Sequence, residues 1–220
     1  MKKPTVRPRG HAVIRPYRSD DLSAVYDVCL RTAHEGGDAR GIYQQPDLMP
    51  DIFAGPYLHL EPHLAFVLDD GERAVGYVIG TADTVAFVRA YRRQWLPTIS
   101  DRYPRARTPT TPDEQMIELM YTPERLVLPE LADHPAHLHI DLLPQYQRAG
   151  HGRALMGTLL DALREAGVPR VHLGMVTANQ SARLFYDRLG FHELPVADPG
   201  PVTYLGRSTG SSGEPLSPAR

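Results

Sequence analysis

The stretch HLHIDLLPQYQRAGHGRALMGTLLDALREAG, residues 137–167, decides the fold. Its first residues alternate between polar and apolar, which predicts a strand that a proline then ends. A tight loop with Gly150 and Gly152 follows, and after it a helix over about residues 152–165 with leucines on one face. Gly167 is placed to end that helix. The stretch is therefore a strand–loop–helix unit.

Strand and helix patterns also alternate on both sides of this unit. Upstream, residues 12–80 predict a strand, a helix and two further strands. Downstream, we expect a strand over 170–177, a helix over 179–189 and a short strand over 201–205. This order predicts an α/β protein with a mixed sheet and flanking helices. Residues 84–135, which several prolines divide into short helical pieces, predict a helical insertion.

Composition indicates one globular domain. The chain has 220 residues, 24 Lys and Arg against 26 Asp and Glu, and a net charge of −2. Because it has one cysteine, a disulfide framework and a cysteine-based zinc site are excluded. We expect a single domain over residues 11–206 between disordered tails at 1–10 and 207–220. The near-neutral charge and the lack of an apolar run of ~20 residues predict no nucleic-acid or membrane partner and a cytoplasmic protein.

The loop between the strand and the helix is suited to an anion. The first amides of a helix have no partner within the helix, and the helix dipole adds positive charge there. Glycines let the backbone approach phosphate oxygens, and Arg148 and Arg153 add full charges. The loop does not match a dinucleotide-binding fingerprint, because Leu155 occupies the position of the third glycine. It does not match a P-loop either, because the chain has no Gly-Lys-Ser/Thr sequence. A glycine-rich turn that only begins a helix remains the alternative.

Several runs resemble the motifs of the GNAT superfamily of acyl-CoA N-acyltransferases. The first is the strand-Pro-x-Tyr-Gln-x-x-Gly-x-Gly run of residues 142–152, and the second is VHLGMVTANQSARLFYDRLGF, residues 171–191. The opening IRPYRSDDL, residues 14–22, resembles the family's first strand and helix. Residues 36–87, together with the insertion around Trp95, are similar to the acetyltransferase-like C-terminal domain of eukaryotic O-GlcNAcases.

This resemblance implies a GNAT fold, in which a mixed and mostly antiparallel sheet has two strands that part beyond a bulge near Leu142 and Leu143. It implies acetyl-CoA as cosubstrate, with the pantetheine arm between those strands, and direct transfer of the acetyl group to an amine in a ternary complex. A backbone amide near Leu142 would stabilise the oxyanion. The coenzyme-binding residues implied are Leu142, Leu143, Gln147, Arg148, Ala149, Gly150, His151, Gly152, Arg153, Asn179 and Phe185.

The resemblance also suggests the catalytic groups. Tyr186 matches the position of a general acid, and a phenol can protonate the leaving thiolate. The alternative is that Tyr186 is a core aromatic of an amphipathic helix. For the general base we rank Asp141 first, with His137, His139 and Asp83 as alternatives. Asp141 and the two histidines alternate along one strand and therefore share a face.

Two other functions stay open at this stage. The same fold and loop would suit a non-catalytic acyl-CoA-binding or sensor module. The His-x-His-x-Asp strand would also suit zinc or iron in a metal-dependent enzyme, which is the less favoured alternative, and we expect no metal.

The acceptor is a small-molecule or peptide amine in this interpretation, and a homodimer is compatible with it. Arg89, Arg92 and Arg93 of the insertion would favour an acidic acceptor if they faced it. A helical arginine cluster is, however, usually a solvated face.

Overall fold

The protein is described here by a computed structural model that covers residues 12–210. In that part of the chain the strands are β1 (Val13–Pro16), β2 (Ala65–Asp69), β3 (Ala74–Thr81), β4 (Ala136–Leu142), β5 (Arg170–Val176), β6 (His192–Glu193) and β7 (Val202–Ser208). The α-helices are α1 (Leu22–Leu30), α2 (Leu48–Phe53), α3 (Gly55–Leu60), α4 (Thr84–Ala90), α5 (Leu96–Ile99), α6 (Pro112–Tyr121), α7 (His151–Glu165) and α8 (Gln180–Asp187).

The seven strands form a mixed sheet in the order β1-β2-β3-β4-β5-β7-β6, and the predicted α/β class is confirmed. Neighbouring strands run antiparallel except for β4 and β5. The insertion between β3 and β4 is helical, as expected, and includes a π-helical turn, Tyr91–Trp95. The last strand runs to Ser208, beyond the predicted domain end at 206. The predicted tail at 1–10 lies outside the described residues. The same holds for the predicted tail at 207–220 from residue 211 onward.

Strand β3 holds β4 in place at the centre of the sheet. Every residue of β3 is buried, and its pairing with β4 extends from Gly76 opposite Leu142 to Thr81 opposite His137. A Cβ added at Gly80 would lie 2.7 Å from the His137 carbonyl oxygen, and one at Gly76 would lie 2.9 Å from the Leu142 side chain. Glycine is therefore required at both positions for this close approach.

Strands β4 and β5 part early. They pair only at Ala136 opposite Val171 and at His137 opposite His172, although both strands continue beyond these residues. The splay is confirmed, but it begins after His137 and not beyond Leu142. The physical reason is that β4 is paired with β3, and β5 with β7, along nearly their full lengths. The register shift recorded in the sheet lies in the β2–β3 pairing and not in β4.

The two faces of the sheet are covered differently. Helix α7 packs on one face against β2, β3 and β4, with Leu155, Leu159 and Leu163 buried. Helices α1 and α3 pack against β3 on the other face, where the insertion also lies. None of the helices among residues 12–210 has the length and apolarity to cross a membrane.

A buried carboxylate joins the insertion to this second face. Asp51 of α2 is 1% exposed and accepts hydrogen bonds from the hydroxyls of Tyr26 and Tyr103, both at 2.7 Å. Arg102 lies 2.9 Å from the same carboxylate, and Trp95 Nε1 donates to the Asp51 carbonyl. Asp51 therefore links α1, α2 and the insertion in one polar network.

We predict that Asp51→Ala lowers the free energy of unfolding by about 2–4 kcal/mol, because two buried tyrosine hydroxyls lose their acceptor. Urea unfolding followed by circular dichroism measures the change. The matched control is Asp101→Ala, which removes an exposed carboxylate next to Arg102 and should change stability by less than ~0.5 kcal/mol. Equal effects of the two substitutions would contradict this role for Asp51.

Candidate functional site

The gap between β4 and β5 opens into a cavity of about 440 Å³. Its walls come from the end of β4, the loop before α7, the start of α7, helix α8 and the loop after α1. The predicted site residues among its lining are Asp141, Leu142, Gln147, Arg148, Gly150, Gly152, Arg153, Asn179, Phe185 and Tyr186. The predicted residues Leu143, Ala149 and His151 are not part of that lining.

Leu142 and Leu143 differ in where their amides point. The Leu143 amide donates to the Val75 carbonyl at 3.0 Å, so it belongs to the sheet. Because successive amides of an antiparallel strand point in opposite directions, the Leu142 amide faces the gap. The Leu142 carbonyl, on the same side, accepts a hydrogen bond from Gln147 Nε2 at 2.8 Å. Gln147 thus holds the strand end, and the Leu142 amide is the donor directed at the cavity.

The loop before α7 has the backbone shape of an anion site. Arg148 and Gly150 both have positive φ, at 60° and 86°, and no side chain caps the start of α7. The first-turn amides therefore lack side-chain acceptors. A Cβ added at Gly152 would lie 3.1 Å from the Phe185 ring, so a larger residue would displace that ring.

Three guanidinium groups surround the same loop. Arg148, Arg153 and Arg188 line the cavity, and within residues 12–210 none of them has an ion-pair partner. Arg153 only donates a long hydrogen bond, 3.4 Å, to the Arg188 carbonyl. Uncompensated cations beside free helix amides favour a ligand with several negative charges. Sequence reasoning did not identify Arg188, although it stands within the quoted run of residues 171–191.

Asn179 connects the cavity's far walls. Its Oδ1 accepts from the Ala182 amide at 3.0 Å, which caps α8, and its Nδ2 donates to the Glu35 carbonyl at 3.0 Å. Both polar atoms of the side chain are thereby used. Asn179 therefore joins two walls of the cavity that it lines. The wall at Glu35 and Gly36 was missed, because no local pattern links it to a residue so distant in sequence.

Asp141 lies at the inner end of the cavity. Tyr77 donates a hydrogen bond of 2.6 Å to Asp141 Oδ2. Burial raises the pKa of Asp141 to about 6, although this hydrogen bond opposes the rise. A carboxyl group with this pKa is a proton acceptor suited to neutral pH.

Tyr186 shares the cavity with Asp141. Its side chain is 9% exposed, and in the described part of the chain its hydroxyl has no hydrogen-bond partner. Burial, and then the charge of Asp141, raise the pKa of Tyr186 well above that of an ordinary phenol. The hydroxyl therefore stays protonated and is free to donate. The ring also packs against Phe185 and Phe191, so Tyr186 is a core aromatic as well.

The two histidines have structural partners. The Tyr57 hydroxyl lies 2.7 Å from His137 Nε2 and 3.1 Å from His139 Nε2, and Thr84 Oγ1 lies 2.8 Å from His137 Nδ1. Burial lowers the pKa of both imidazoles, that of His139 to about 4. Neither histidine lines the 440 Å³ cavity.

The remaining sequence alternatives do not converge on the cavity. Asp83 caps α4 by accepting from the Ala86 amide at 3.0 Å, and it is not part of the cavity lining. Among residues 12–210, no three His, Cys, Asp or Glu side chains are placed to hold a metal ion. The His-x-His-x-Asp strand therefore does not fit a metal centre in this geometry.

The comparisons with known proteins agree on one family. The model of the acetyltransferase (GNAT) family matches residues 33–191. Protein O-GlcNAcase of Rattus norvegicus is 30% identical over 200 residues, which are 89% of this chain and 22% of that protein. The chain thus spans under a quarter of the curated relative's length.

Two solved structures are similar over most of this chain. The protein SsHAT is 61% identical with a TM-score of 0.88, over 91% of this chain and 99% of its own. The PaiA N-acetyltransferase of Thermoplasma acidophilum, solved in complex with coenzyme A, has 13% identity and a TM-score of 0.56, over 90% and 98% of the two chains. At that identity the likeness is one of fold.

Proposed function

The chain belongs to the acetyltransferase (GNAT) family, and on that premise we propose that it transfers an acetyl group from acetyl-CoA to an amine acceptor. The observation that carries the proposal is the unpaired gap between β4 and β5 beside the uncapped start of α7. Free backbone donors and unpaired arginines meet there at one cavity that also holds a proton acceptor and a proton donor.

The residues present fit the coenzyme. In this proposal the amides of residues 150–153 and the guanidinium groups of Arg148, Arg153 and Arg188 bind its phosphates. The unpaired edges of β4 and β5 bind the pantetheine arm as an added strand would be bound. The coenzyme supplies the activated acetyl group as a thioester. The Leu142 amide donates to the thioester oxygen, where negative charge develops during attack.

Two side chains carry the protons in the proposed reaction. Asp141 accepts a proton from the acceptor's ammonium, and the amine nitrogen then forms its bond to the acetyl carbon. As the carbon–sulfur bond breaks, Tyr186 donates its proton to the leaving sulfur, and the nitrogen gives up its second proton, which restores the Tyr186 hydroxyl. A non-catalytic acyl-CoA sensor would need the anion site but neither of these groups. Their presence in the same cavity favours the enzyme over the sensor.

We predict that Gly152→Asp weakens acetyl-CoA binding by at least ~100-fold, because it displaces Phe185 and adds negative charge at the phosphate site. Isothermal titration calorimetry measures the affinity. The matched control is Gly157→Asp in the same helix, where a Cβ meets no atom within 4 Å and binding should be unchanged. Unchanged affinity in a folded Gly152→Asp protein would refute the phosphate site.

We predict that Asp141→Asn lowers kcat/KM by roughly 10²–10⁴-fold, because the base is lost while an acceptor for Tyr77 remains. In the wild type, kcat/KM should rise as the pH rises through about 6, where Asp141 ionises, and this rise should be absent in the variant. Thiol release from acetyl-CoA with an added amine measures both rates.

Stability separates this role of Asp141 from a structural one. The pKa of Asp141 in the folded state, about 6, lies above its ordinary value of 3.8. Its contribution to stability is therefore complete below pH 3.8 and is lost as the pH rises through 6. Relative to the wild type, Asp141→Asn should gain stability between pH 4 and pH 7. A variant destabilised equally at all pH values would indicate a structural role instead.

We predict that Tyr186→Phe lowers kcat by roughly 10²-fold or more without changing acetyl-CoA affinity or the melting temperature, because the hydroxyl removed has no protein partner among the described residues. The assay is again amine-dependent thiol release. Tyr17→Phe, which removes a hydroxyl outside the cavity, is the control and should retain full activity. Full activity of Tyr186→Phe would exclude it as the general acid.

A further inference from the structure

A second, small cavity lies beside β4 on the face that carries Asp141. Its volume is about 30 Å³, and its lining combines His139 of β4 with residues of α2, α3, α4 and the turn at 123–126. Aromatic rings form much of the wall, among them Phe53, Tyr57 and Tyr91. Among the residues that line this cavity, Arg125 is the one charged side chain, because the low pKa of His139 keeps its imidazole neutral.

Arg125 has no counter-charge within the described part of the chain. It is half-buried, and its one hydrogen bond is a long contact, 3.4 Å, from Nε to the Leu119 carbonyl. Its neighbours in the insertion are paired, since Arg92 binds Glu124 and Arg105 binds Glu118. A half-buried cation without an anion costs stability, which favours a functional reason for it.

Arg125 lies beside His139, which is two residues before Asp141 on the same strand. His137 lies opposite His172 in the parallel pair, so His139 is level with Gly174 across the gap. A Cβ added at Gly174 would lie 3.3 Å from the Tyr204 ring, so that ring stands over the glycine on the same face. After burial, the charge of Arg125 is the next largest influence on the pKa of both His139 and Tyr204. Arg125 thus lies beside His139, on the β4 side of the gap.

The arginines that the sequence suggested for an acidic acceptor are elsewhere. Arg92 is paired with Glu124, while Arg89 and Arg93 are exposed and line neither cavity. Within the insertion, Arg125 is therefore the cation placed to meet an acceptor.

We propose that Arg125 binds a carboxylate of the acceptor, so that the enzyme selects acidic amine acceptors. This rests on the proposed acetyl transfer at Asp141. His139, beside Arg125, and Asp141 are two residues apart on one strand face, a separation of ~7 Å. The acceptor's carboxylate must lie at least about that far from its amine. An amino acid's own α-carboxylate is too close, whereas the side chain of an acidic second residue in a peptide has the required reach.

The test uses two conjugates, in which coenzyme A is joined through an acetyl bridge to the N-terminal amine of an Ala-Glu or an Ala-Gln peptide whose C-terminus is amidated. Calorimetry gives their affinities for the wild type and for Arg125→Gln. We expect the wild type to bind the Glu conjugate roughly 10- to 100-fold more tightly than the Gln conjugate, as for a charge-assisted hydrogen bond. Arg125→Gln should lose this preference and still bind coenzyme A as the wild type does.

Arg93→Gln is the matched control and should keep the preference, because its side chain is exposed. Equal binding of the two conjugates by the wild type, or an unchanged preference in Arg125→Gln, would overturn the acceptor subsite. A preference for Glu without turnover of the free peptide would support the subsite and refute the proposed catalysis. Failure of coenzyme A itself to bind would refute both.

Discussion

The structure depends on a parallel strand pair that is left open. Beyond His137 and His172, the facing edges of β4 and β5 give up the hydrogen bonds that a sheet normally makes. Backbone N–H and C=O groups that are buried without partners cost stability, so an open strand pair in the middle of a sheet must be stabilised by its other neighbours. The support comes from β3 and β7, which pair with the outer edges of the two strands. The open end of β4 borders the cavity, and the Leu142 amide faces it.

Side-chain hydrogen bonds to the backbone hold the other walls of the cavity in place. Asn179 caps α8 and holds the Glu35 carbonyl, so the helix start and the loop after α1 are fixed together. Gln147 satisfies the Leu142 carbonyl and fixes the end of β4. In both cases a side chain that lines the cavity also holds the backbone in place. In the proposed function, the backbone amides at the start of α7 and the arginines that line the cavity bind the phosphates.

The sequence predicted the parts of this site that are local. The strand–loop–helix unit, the glycines and Arg148 and Arg153 follow from spacing and residue type, and the structure gathers them at one cavity. The sequence could not show whether the Leu142 or the Leu143 amide faces the cavity. The direction of the amide alternates from residue to residue, and only the register with β3 decides it. Arg188 and Arg125 were missed for another reason. Their importance lies in the absence of a counter-charge, which only the folded chain reveals.

Two carboxylates, Asp51 and Asp141, differ in how their charges are compensated. Asp51 is paired with Arg102 and accepts from two tyrosines, so its charge is compensated and it joins the insertion to the body. Asp141 accepts from one tyrosine and has no cation partner in residues 12–210, and burial raises its pKa to about 6. Adding a cation beside Asp141 would stabilise its charge but lower that pKa and weaken it as a base. In the proposed reaction, the missing cation is therefore a condition for Asp141 to act as the base.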